Sequence, residues 1–346
     1  MAENDKEKKK TSGSAVGTAL GFAACAAAGG LLGAANYFFN LALVPKQHDP
    51  AQDNRPGEEA YTAGRRWMRG HVARQDVFTF SEDGKQLHGN LIRQGDPDCH
   101  RYAILVHGFG DSAEAMGLYG KQYYEEYGMH VLLPDLRGHG ASEGSFVGMG
   151  WQDSADLARW VSFITSMDPD AVIVMHGISM GAAAILQATG KSLPGQVKAV
   201  VSDCAFADCI DELTYQYKKH EESYPAPVKK LIPAPLMVQL VRLIGLIRAH
   251  YDIGKASPVE AVRRSLTPTL FIHGEDDDVI PPDDMPRLYE AANCEKHFLW
   301  VKHAGHCQSV VVDPDRYWGH VTNFYNDVSP WILNDNITDA DPFADL

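Results

Sequence analysis

Residues 171–186 read AVIVMHGISMGAAAIL, an apolar run that passes through a Gly-x-Ser-x-Gly pentapeptide into a stretch rich in helix-forming residues. The run 171–175 predicts a buried strand, and the residues from Ala182 onward predict a helix. Glycines on both sides of Ser179 suit a sharp turn between the two elements, because side chains there would collide with neighbouring backbone. Such a turn pushes a serine hydroxyl outward, and we therefore predict that Ser179 is a nucleophile. A serine that only caps the helix is the alternative interpretation.

Candidate partners for this serine follow later strands of the chain. A serine hydroxyl needs a base that takes its proton and an acid that orients the base. The predicted strand 269–272 leads into HGEDDD at residues 273–278, and the predicted strand 298–301 leads into KHAGH at residues 302–306. Open α/β sheets place their sites where parallel strands end, so we expect these groups to meet at one sheet edge. Physics alone does not choose among the three aspartates.

The rest of the globular part alternates short apolar runs with longer amphipathic stretches, which predicts a mostly parallel sheet covered by helices on both faces. A hairpin of two antiparallel strands precedes this pattern, at 77–80 and 87–92. The segment from Asp208 to about Ala261 is longer than one crossover helix requires. We expect it to form a helical cap over the carboxyl edge of the sheet, and a helix on the sheet flank is the alternative.

Several short stretches between about Asp76 and Trp331 match the motifs of one known family. They are HGFG at 107–110, DLRGHG at 135–140, GISMG at 177–181, VSDC at 201–204, the segment 268–281, and Gly305-His306. With them the chain resembles the α/β-hydrolase superfamily, and closely resembles bacterial serine hydrolases tied to the membrane by an N-terminal segment. The resemblance implies an α/β-hydrolase fold with an eight-stranded, mostly parallel sheet, a Ser-Asp-His triad and an oxyanion hole.

The resemblance also assigns roles to particular residues. It selects Asp277 as the acid and His306 as the base, with His303 as the rival for the base. The oxyanion hole would use the backbone N–H groups of Phe109 and Met180. No metal or organic cofactor is required for this chemistry.

The activity expected from this set is hydrolysis of a small or medium carboxylic ester through an acyl-enzyme intermediate. A serine aminopeptidase or acyl-peptide hydrolase is the second hypothesis, and it would need a polar site for a substrate terminus. Asp211, Glu221 and Glu222 are candidates for that site. The third hypothesis is a catalytically silent binding protein that uses the same pocket.

Composition excludes several other classes of protein. The chain has 346 residues, of which 45% are hydrophobic, and this excludes a small module and general disorder. Its 31 Lys and Arg residues against 45 Asp and Glu residues give a net charge of −14, which disfavours nucleic acid as a partner. The six cysteines show neither the density of a disulfide scaffold nor the paired spacings of a zinc motif. The oligomeric state does not follow from the sequence.

The N-terminal region predicts attachment to a membrane. No charged residue occurs from Thr11 to Pro45, and this exceeds the roughly 20 residues that a membrane-spanning helix needs. Lys6 and Lys8 to Lys10 precede the run, so the positive-inside tendency leaves the N-terminus in the cytosol and the catalytic domain outside the cell membrane. A cleaved signal peptide, which would release a secreted protein, is the alternative.

The sequence thus predicts four consecutive segments. Residues 1–45 form a basic segment and a membrane-anchoring helix, and residues 46–75 form a linker and a lead-in helix. Residues 76–335 form the hydrolase domain, with the cap insertion at about 208–261. Residues 336–346 form a C-terminal tail.

Overall fold

The computed structural model describes residues 29–45, 57–70, 74–223 and 232–334. The chain divides into two compact units. Among the described residues, the larger unit comprises 43–45, 57–70, 74–212 and 253–334, and the smaller unit comprises 29–42, 213–223 and 232–252. The first 28 residues of the predicted anchor and the predicted tail at 336–346 lie outside the described residues.

The larger unit contains an eight-stranded sheet with the order β1-β2-β4-β3-β5-β6-β7-β8. Strand β2 is antiparallel to both of its neighbours, and the other pairs are parallel. The predicted mostly parallel eight-stranded sheet is therefore confirmed. The strands are β1 (Arg74–Phe80), β2 (Gln86–Ile92), β3 (Arg101–Val106), β4 (His130–Pro134), β5 (Val172–Ile178), β6 (Val197–Asp203), β7 (Thr269–Gly274) and β8 (Lys296–Val301).

Helices flank this sheet and also build the insertion after β6. The α-helices with defined bounds are α1 (Glu58–Gly70), α2 (Gly117–Lys121), α3 (Trp151–Met167), α4 (Met180–Thr189), α5 (Cys209–Lys219), α6 (Ala234–Arg248), α7 (Pro258–Val262), α8 (Asp284–Ala291), α9 (Ser309–Val312) and α10 (Pro314–Val328). Short 3-10 helices span Ala113–Met116, Glu221–Ser223 and Ile253–Lys255, and a π-helical turn spans Gln122–Glu126.

The central strands form the core of the larger unit. Every residue of β3 and β4 is buried, and β5 is buried from its second residue onward. A strand covered on both faces has no solvent side to fill with polar residues, and this explains the continuous apolar runs in the sequence.

The register of the parallel strands brings their carboxyl ends level with one another. Ile178 at the end of β5 pairs with Asp203 at the end of β6, and Asp203 pairs with Ile272 in β7. Gly274 at the end of β7 pairs with Val301 at the end of β8. The loops that follow these four strands therefore leave the same edge of the sheet.

The smaller unit contains residues 29–42 of a helix that ends at residue 43, together with the insertion helix α6. Arg248 at the end of α6 joins the two helices, because its guanidinium donates hydrogen bonds of 2.6 Å to the Asn36 amide oxygen and 2.7 Å to that of Asn40. Residues 213–252 fall within the predicted insertion at about 208–261. The placement of this insertion as a cap over the sheet edge stays a prediction.

Within the part of the chain that the structure describes, no helix has both the length and the apolar character that a bilayer crossing requires. Residues 29–43 belong to the predicted anchor, and the greater part of that anchor lies outside the described residues.

Candidate active site

The turn between β5 and α4 holds Ser179 in a backbone conformation that side chains rarely adopt. Its φ is 53° and its ψ is −123°, and a positive φ places the Cβ close to neighbouring backbone atoms. Two hydrogen bonds hold the turn. The Ser179 N–H donates to the carbonyl oxygen of Asp203 at 2.8 Å, and the Ser179 carbonyl accepts from the N–H of Ala183 at 3.0 Å.

The two glycines of the pentapeptide are required by close backbone packing around this turn. A Cβ built on Gly177 would lie 2.6 Å from the nitrogen of Ala182. A Cβ on Gly181 would collide with the carbonyl oxygens of Val106 and His107 at the end of β3. The helix after Ser179 can therefore pack directly on the neighbouring strand only because these positions carry no side chain.

We expect Gly181→Ala to lower the free energy of unfolding by about 1–3 kcal/mol, the usual range for overpacking a buried position. Urea denaturation would measure the change. The matched control is Gly319→Ala within α10, where an added Cβ meets no atom within 4 Å. That substitution is expected to raise the stability by about 0.5–1 kcal/mol, because alanine is the better helix former. Equal stability of Gly181→Ala and the unsubstituted protein would contradict this account of the turn.

Three side chains from loops after β5, β7 and β8 form a continuous chain of hydrogen bonds. The His306 Nε2 atom lies 2.9 Å from the Ser179 Oγ atom. On the other side of the ring, His306 Nδ1 lies 2.8 Å from Asp277 Oδ2. The structure thus brings together the three residues that sequence analysis selected, although Ser179 and His306 are 127 positions apart.

Asp277 is fixed on all sides. Its side chain is fully buried, and its Oδ1 atom accepts hydrogen bonds of 2.9 Å from the N–H groups of Val279 and Ile280. Its Oδ2 atom also lies 3.2 Å from His273 Nε2. Burial alone would raise the pKa of Asp277, but the hydrogen bonds with His273 and His306 hold the pKa well below its ordinary value. The carboxyl group is therefore ionised at neutral pH.

The alternative acids and the alternative base point to solvent. Asp276 and Asp278 are exposed, and the side chain of His303 is 88% exposed. His306 has a side chain that is only 17% exposed. Burial alone would lower the pKa of His306, whereas the neighbouring Cys204 sulfur and the Asp277 carboxylate raise it, and the net direction is upward.

The loop after β3 lies beside Ser179. A Cβ built on Gly108 would sit 3.2 Å from the Cβ of Ser179. His107 braces this loop, because its Nε2 accepts from the N–H of Leu136 at 3.0 Å and its Nδ1–H donates to the carbonyl oxygen of Gly108 at 2.7 Å. The next residue along, Phe109, carries one of the two expected oxyanion donors.

The second expected donor is the N–H of Met180, which begins α4. The N-terminus of a helix presents N–H groups that lack an intrahelical acceptor, and this end of the helix favours negative charge. His139 also holds the loop after β3, because its Nε2 accepts a hydrogen bond of 3.1 Å from the N–H of Gly110. Burial lowers the pKa of His139 to about 4, so the ring is neutral and able to accept.

Two further residues support the site, and neither was predicted from the sequence. His273 contacts Asp277, and its position at the end of β7 was the available signal. Asp203 is fully buried, and it accepts hydrogen bonds from the hydroxyls of Tyr317 at 3.1 Å and Ser309 at 3.2 Å. Burial raises the pKa of Asp203 to about 6. Its carbonyl oxygen holds the Ser179 N–H, and it therefore positions the turn.

The acidic residues considered for a peptidase site belong to different units of the chain, Asp211 to the larger unit and Glu221 and Glu222 to the smaller one. Asp211 forms an ion pair of 2.7 Å with Arg287, which also contacts Asp284 at 2.7 Å. Glu221 and Glu222 are exposed residues of the smaller unit. Asp211 thus already contacts a basic side chain, which it shares with Asp284.

Comparison with known sequences identifies a family and relatives of this chain. A model of the alpha/beta hydrolase family matches residues 103–319. The uncharacterized protein YqkD of Bacillus subtilis (strain 168) is 30% identical over 206 residues, which cover 59% of this chain and 64% of YqkD. The matched region thus spans slightly less than two thirds of that relative.

Solved structures with the same architecture include an esterase and a peptidase. The esterase Pf2001 of Pyrococcus furiosus is 18% identical, with a TM-score of 0.59 over 82% of this chain and 99% of the esterase. The acylaminoacyl peptidase of Pyrococcus horikoshii is 17% identical, with a TM-score of 0.53 over 74% of this chain and 41% of the peptidase. At these identities the likeness establishes the shared fold.

Proposed function

Because this chain belongs to the alpha/beta hydrolase family, we propose that it is a carboxylesterase-like serine hydrolase that cleaves small carboxylic esters. The observation that carries the proposal is the unbroken hydrogen-bond chain from Asp277 through His306 to Ser179. The order and the contacts of these groups suit nucleophilic attack assisted by a general base.

In the proposed reaction the Ser179 oxygen attacks the ester carbonyl carbon while His306 Nε2 takes the hydroxyl proton. The resulting tetrahedral intermediate collapses, and the imidazolium gives its proton to the departing alcohol. The acyl group then stays on the Ser179 oxygen. Water attacks this acyl-enzyme with His306 again as the base, and the carboxylic acid and the free serine are released.

Two electrostatic features lower the barrier in this scheme. The ionised Asp277 stabilises the imidazolium that forms on His306 and orients its ring. The N–H groups of Phe109 and Met180 face the oxygen on which negative charge develops, and one such donor typically contributes about 3 kcal/mol.

The proposed base predicts a pH dependence. His306 accepts a proton only when it is neutral, so activity is lost as the pH falls through its pKa. Because that pKa is raised, we expect the acidic limb of kcat/KM to have its midpoint above the ordinary histidine value of about 6.5. The pH profile should be measured with two different esters. An acidic limb with the same midpoint for both esters arises from the enzyme and not from the substrate. A midpoint below the ordinary value would contradict the environment assigned to His306.

A panel of substrates distinguishes the three candidate functions. We expect turnover of p-nitrophenyl esters of short and medium acyl chains, and a much lower kcat/KM for aminoacyl p-nitroanilides. Faster turnover of the anilides would favour a peptidase of the acylaminoacyl or aminopeptidase type. A catalytically silent binding protein would turn over neither class and would not react with a fluorophosphonate.

We also propose that the protein is attached to the cell membrane through its N-terminal region, with the catalytic domain outside. The support is the uncharged stretch 11–45 that follows a lysine cluster. Cell fractionation tests this location. Full-length protein in the membrane fraction is the expected result, and full-length protein in the soluble fraction would contradict it. A shortened protein in the medium would favour cleavage and secretion.

A further inference from the structure

Two cysteines, Cys204 and Cys307, lie next to the imidazole of His306. Cys204 directly follows β6, and Cys307 directly follows His306. Their sulfur atoms are 3.5 Å apart, and both residues are buried, with exposed fractions of 1% and 6%. One ligand atom from each of Cys204, Cys307 and His306 lies within 4.8 Å of the others.

Both cysteines occupy strained backbone positions. Cys204 has a φ of 51° and Cys307 a φ of 57°, a region in which glycine is free of strain and a residue with a Cβ is not. Strain of this kind persists where the surrounding structure imposes it, and it concentrates at functional sites. Both positions carry a side chain in this strained region, and the two sulfurs lie 3.5 Å apart, which points to a use for the pair.

The backbone around the pair is firmly held. The N–H of Cys204 donates to the carbonyl oxygen of Ile272 in β7 at 2.9 Å. The carbonyl oxygen of Cys307 accepts a 2.6 Å hydrogen bond from the hydroxyl of Tyr61 in α1. The two sulfurs are therefore presented from fixed positions, as a ligand site requires.

We propose that Cys204, Cys307 and His306 form a site for a thiophilic divalent metal ion, of which Zn²⁺ is the model, and that occupation of this site inhibits the enzyme. Zn²⁺ bonds to sulfur at about 2.3 Å with tetrahedral angles, which places two sulfur ligands about 3.8 Å apart. The observed separation of 3.5 Å is close to this value. Two thiolates and one imidazole would leave the fourth position to water or to another oxygen.

The chemistry of binding explains the inhibition. The metal displaces the protons of the two thiols, which pass to solvent, and takes the lone pair of one imidazole nitrogen. If that nitrogen is Nε2, Ser179 loses its base. If it is Nδ1, the bond with Asp277 is lost and the ring leaves its catalytic orientation. Either arrangement disables His306, so this part of the proposal rests on the function proposed above.

The binding step can be tested without any hydrolysis. The protein for this test is the Ser179→Ala variant, kept reduced with a phosphine. Isothermal titration calorimetry should show one Zn²⁺ bound per chain. Addition of Cd²⁺ should give the ultraviolet charge-transfer band of a cadmium thiolate. Cys204→Ser and Cys307→Ser should each weaken binding by about tenfold or more, since even loss of an outer-shell partner costs about 10–100-fold. Cys294→Ser is the matched control, because Cys294 is a half-buried free thiol outside the cluster, and it should leave binding unchanged. An unchanged affinity in Cys204→Ser and Cys307→Ser would overturn the site.

The inhibition step is tested on the active protein with an ester substrate. Saturating Zn²⁺ should lower the rate by about 100-fold or more, since general-base catalysis typically contributes 10²- to 10⁴-fold, and EDTA should restore it. For each cysteine variant, the rate with Zn²⁺ is compared with the rate of the same variant without metal. A variant that binds Zn²⁺ more weakly should be inhibited by Zn²⁺ correspondingly less. Ester hydrolysis that continues while Zn²⁺ is bound would overturn the proposal. Binding without any ester hydrolysis in the metal-free protein would refute the proposed function and leave the metal site standing.

Discussion

Ser179→Ala is expected to lower kcat for ester hydrolysis by about 10⁴- to 10⁶-fold, because the group that forms the acyl-enzyme is removed. The residual rate would come from substrate binding and from the oxyanion donors, neither of which needs the hydroxyl. The side chain is small, and its removal leaves the turn and its backbone hydrogen bonds in place. The loss should therefore appear in kcat without a comparable loss of stability, and steady-state kinetics together with urea denaturation would separate the two.

Ser202→Ala provides the matched control for that prediction. Ser202 is a buried serine of the adjacent strand β6, and its hydroxyl has no hydrogen-bond partner among the described residues. Its removal should leave kcat within about twofold, since it lies outside the proposed relay. Comparable losses in Ser179→Ala and Ser202→Ala would mean that the effect is structural, and the nucleophile would then have to be sought elsewhere.

Asp277→Asn is expected to lower kcat by about 10⁴-fold, the usual result of replacing the acid of such a triad by its amide. An asparagine can still accept from the N–H groups of Val279 and Ile280 through its oxygen. Its NH₂ group would then face His306 Nδ1 and could not accept a proton from it. The ring would be driven to the tautomer that carries hydrogen on Nε2, which cannot take a proton from Ser179.

The control for this substitution is Asp276→Asn, which neutralises an exposed carboxylate one position away. It should leave kcat nearly unchanged, because a solvated charge is strongly screened by water. Activity of Asp277→Asn within about tenfold of the unsubstituted protein would show that the ionised carboxyl group does not perform the role assigned to it.

The meeting of Ser179, His306 and Asp277 was largely predictable from sequence because each of them follows a recognisable strand. Continuous apolar runs identified β5, β7 and β8, and the fixed geometry of a parallel sheet places their ends at one edge. The local motif around Ser179 predicted the turn, since a side chain at Gly177 would meet the start of α4 and a side chain at Gly181 would meet the end of β3. The choice of Asp277 over its two neighbours came from resemblance alone, because burial of one carboxylate in a run of three depends on how the loop closes.

Contacts that depend on tertiary packing were not predictable. His273 lies at the end of β7, four residues before Asp277, and no periodicity indicates that their side chains meet. Cys204 and Cys307 are separated by 103 positions, and the spacing of the six cysteines had argued against a zinc motif. Cys204 follows β6 and Cys307 comes after β8, and β7 lies between these two strands, a relation visible only once the strand order is known.

The segment 112–127 shows a further limit of sequence patterning. Its amphipathic pattern predicts a single helical stretch, whereas the structure has a 3-10 turn, a short α-helix and a π-helical turn in succession. Periodicity indicates which face is buried, but it does not resolve small changes in residues per turn. Such changes depend on the surface against which the segment packs.

The most direct test of the relay formed by Ser179, His306 and Asp277 is the rate and site of labelling by a fluorophosphonate, with the modified residue identified by tandem mass spectrometry. The account predicts one phosphonyl group per chain on the Ser179 oxygen, formed rapidly in the unsubstituted protein and far more slowly in His306→Ala and Asp277→Asn. Labelling of another residue, or labelling of Ser179 at the same rate in all three proteins, would contradict it.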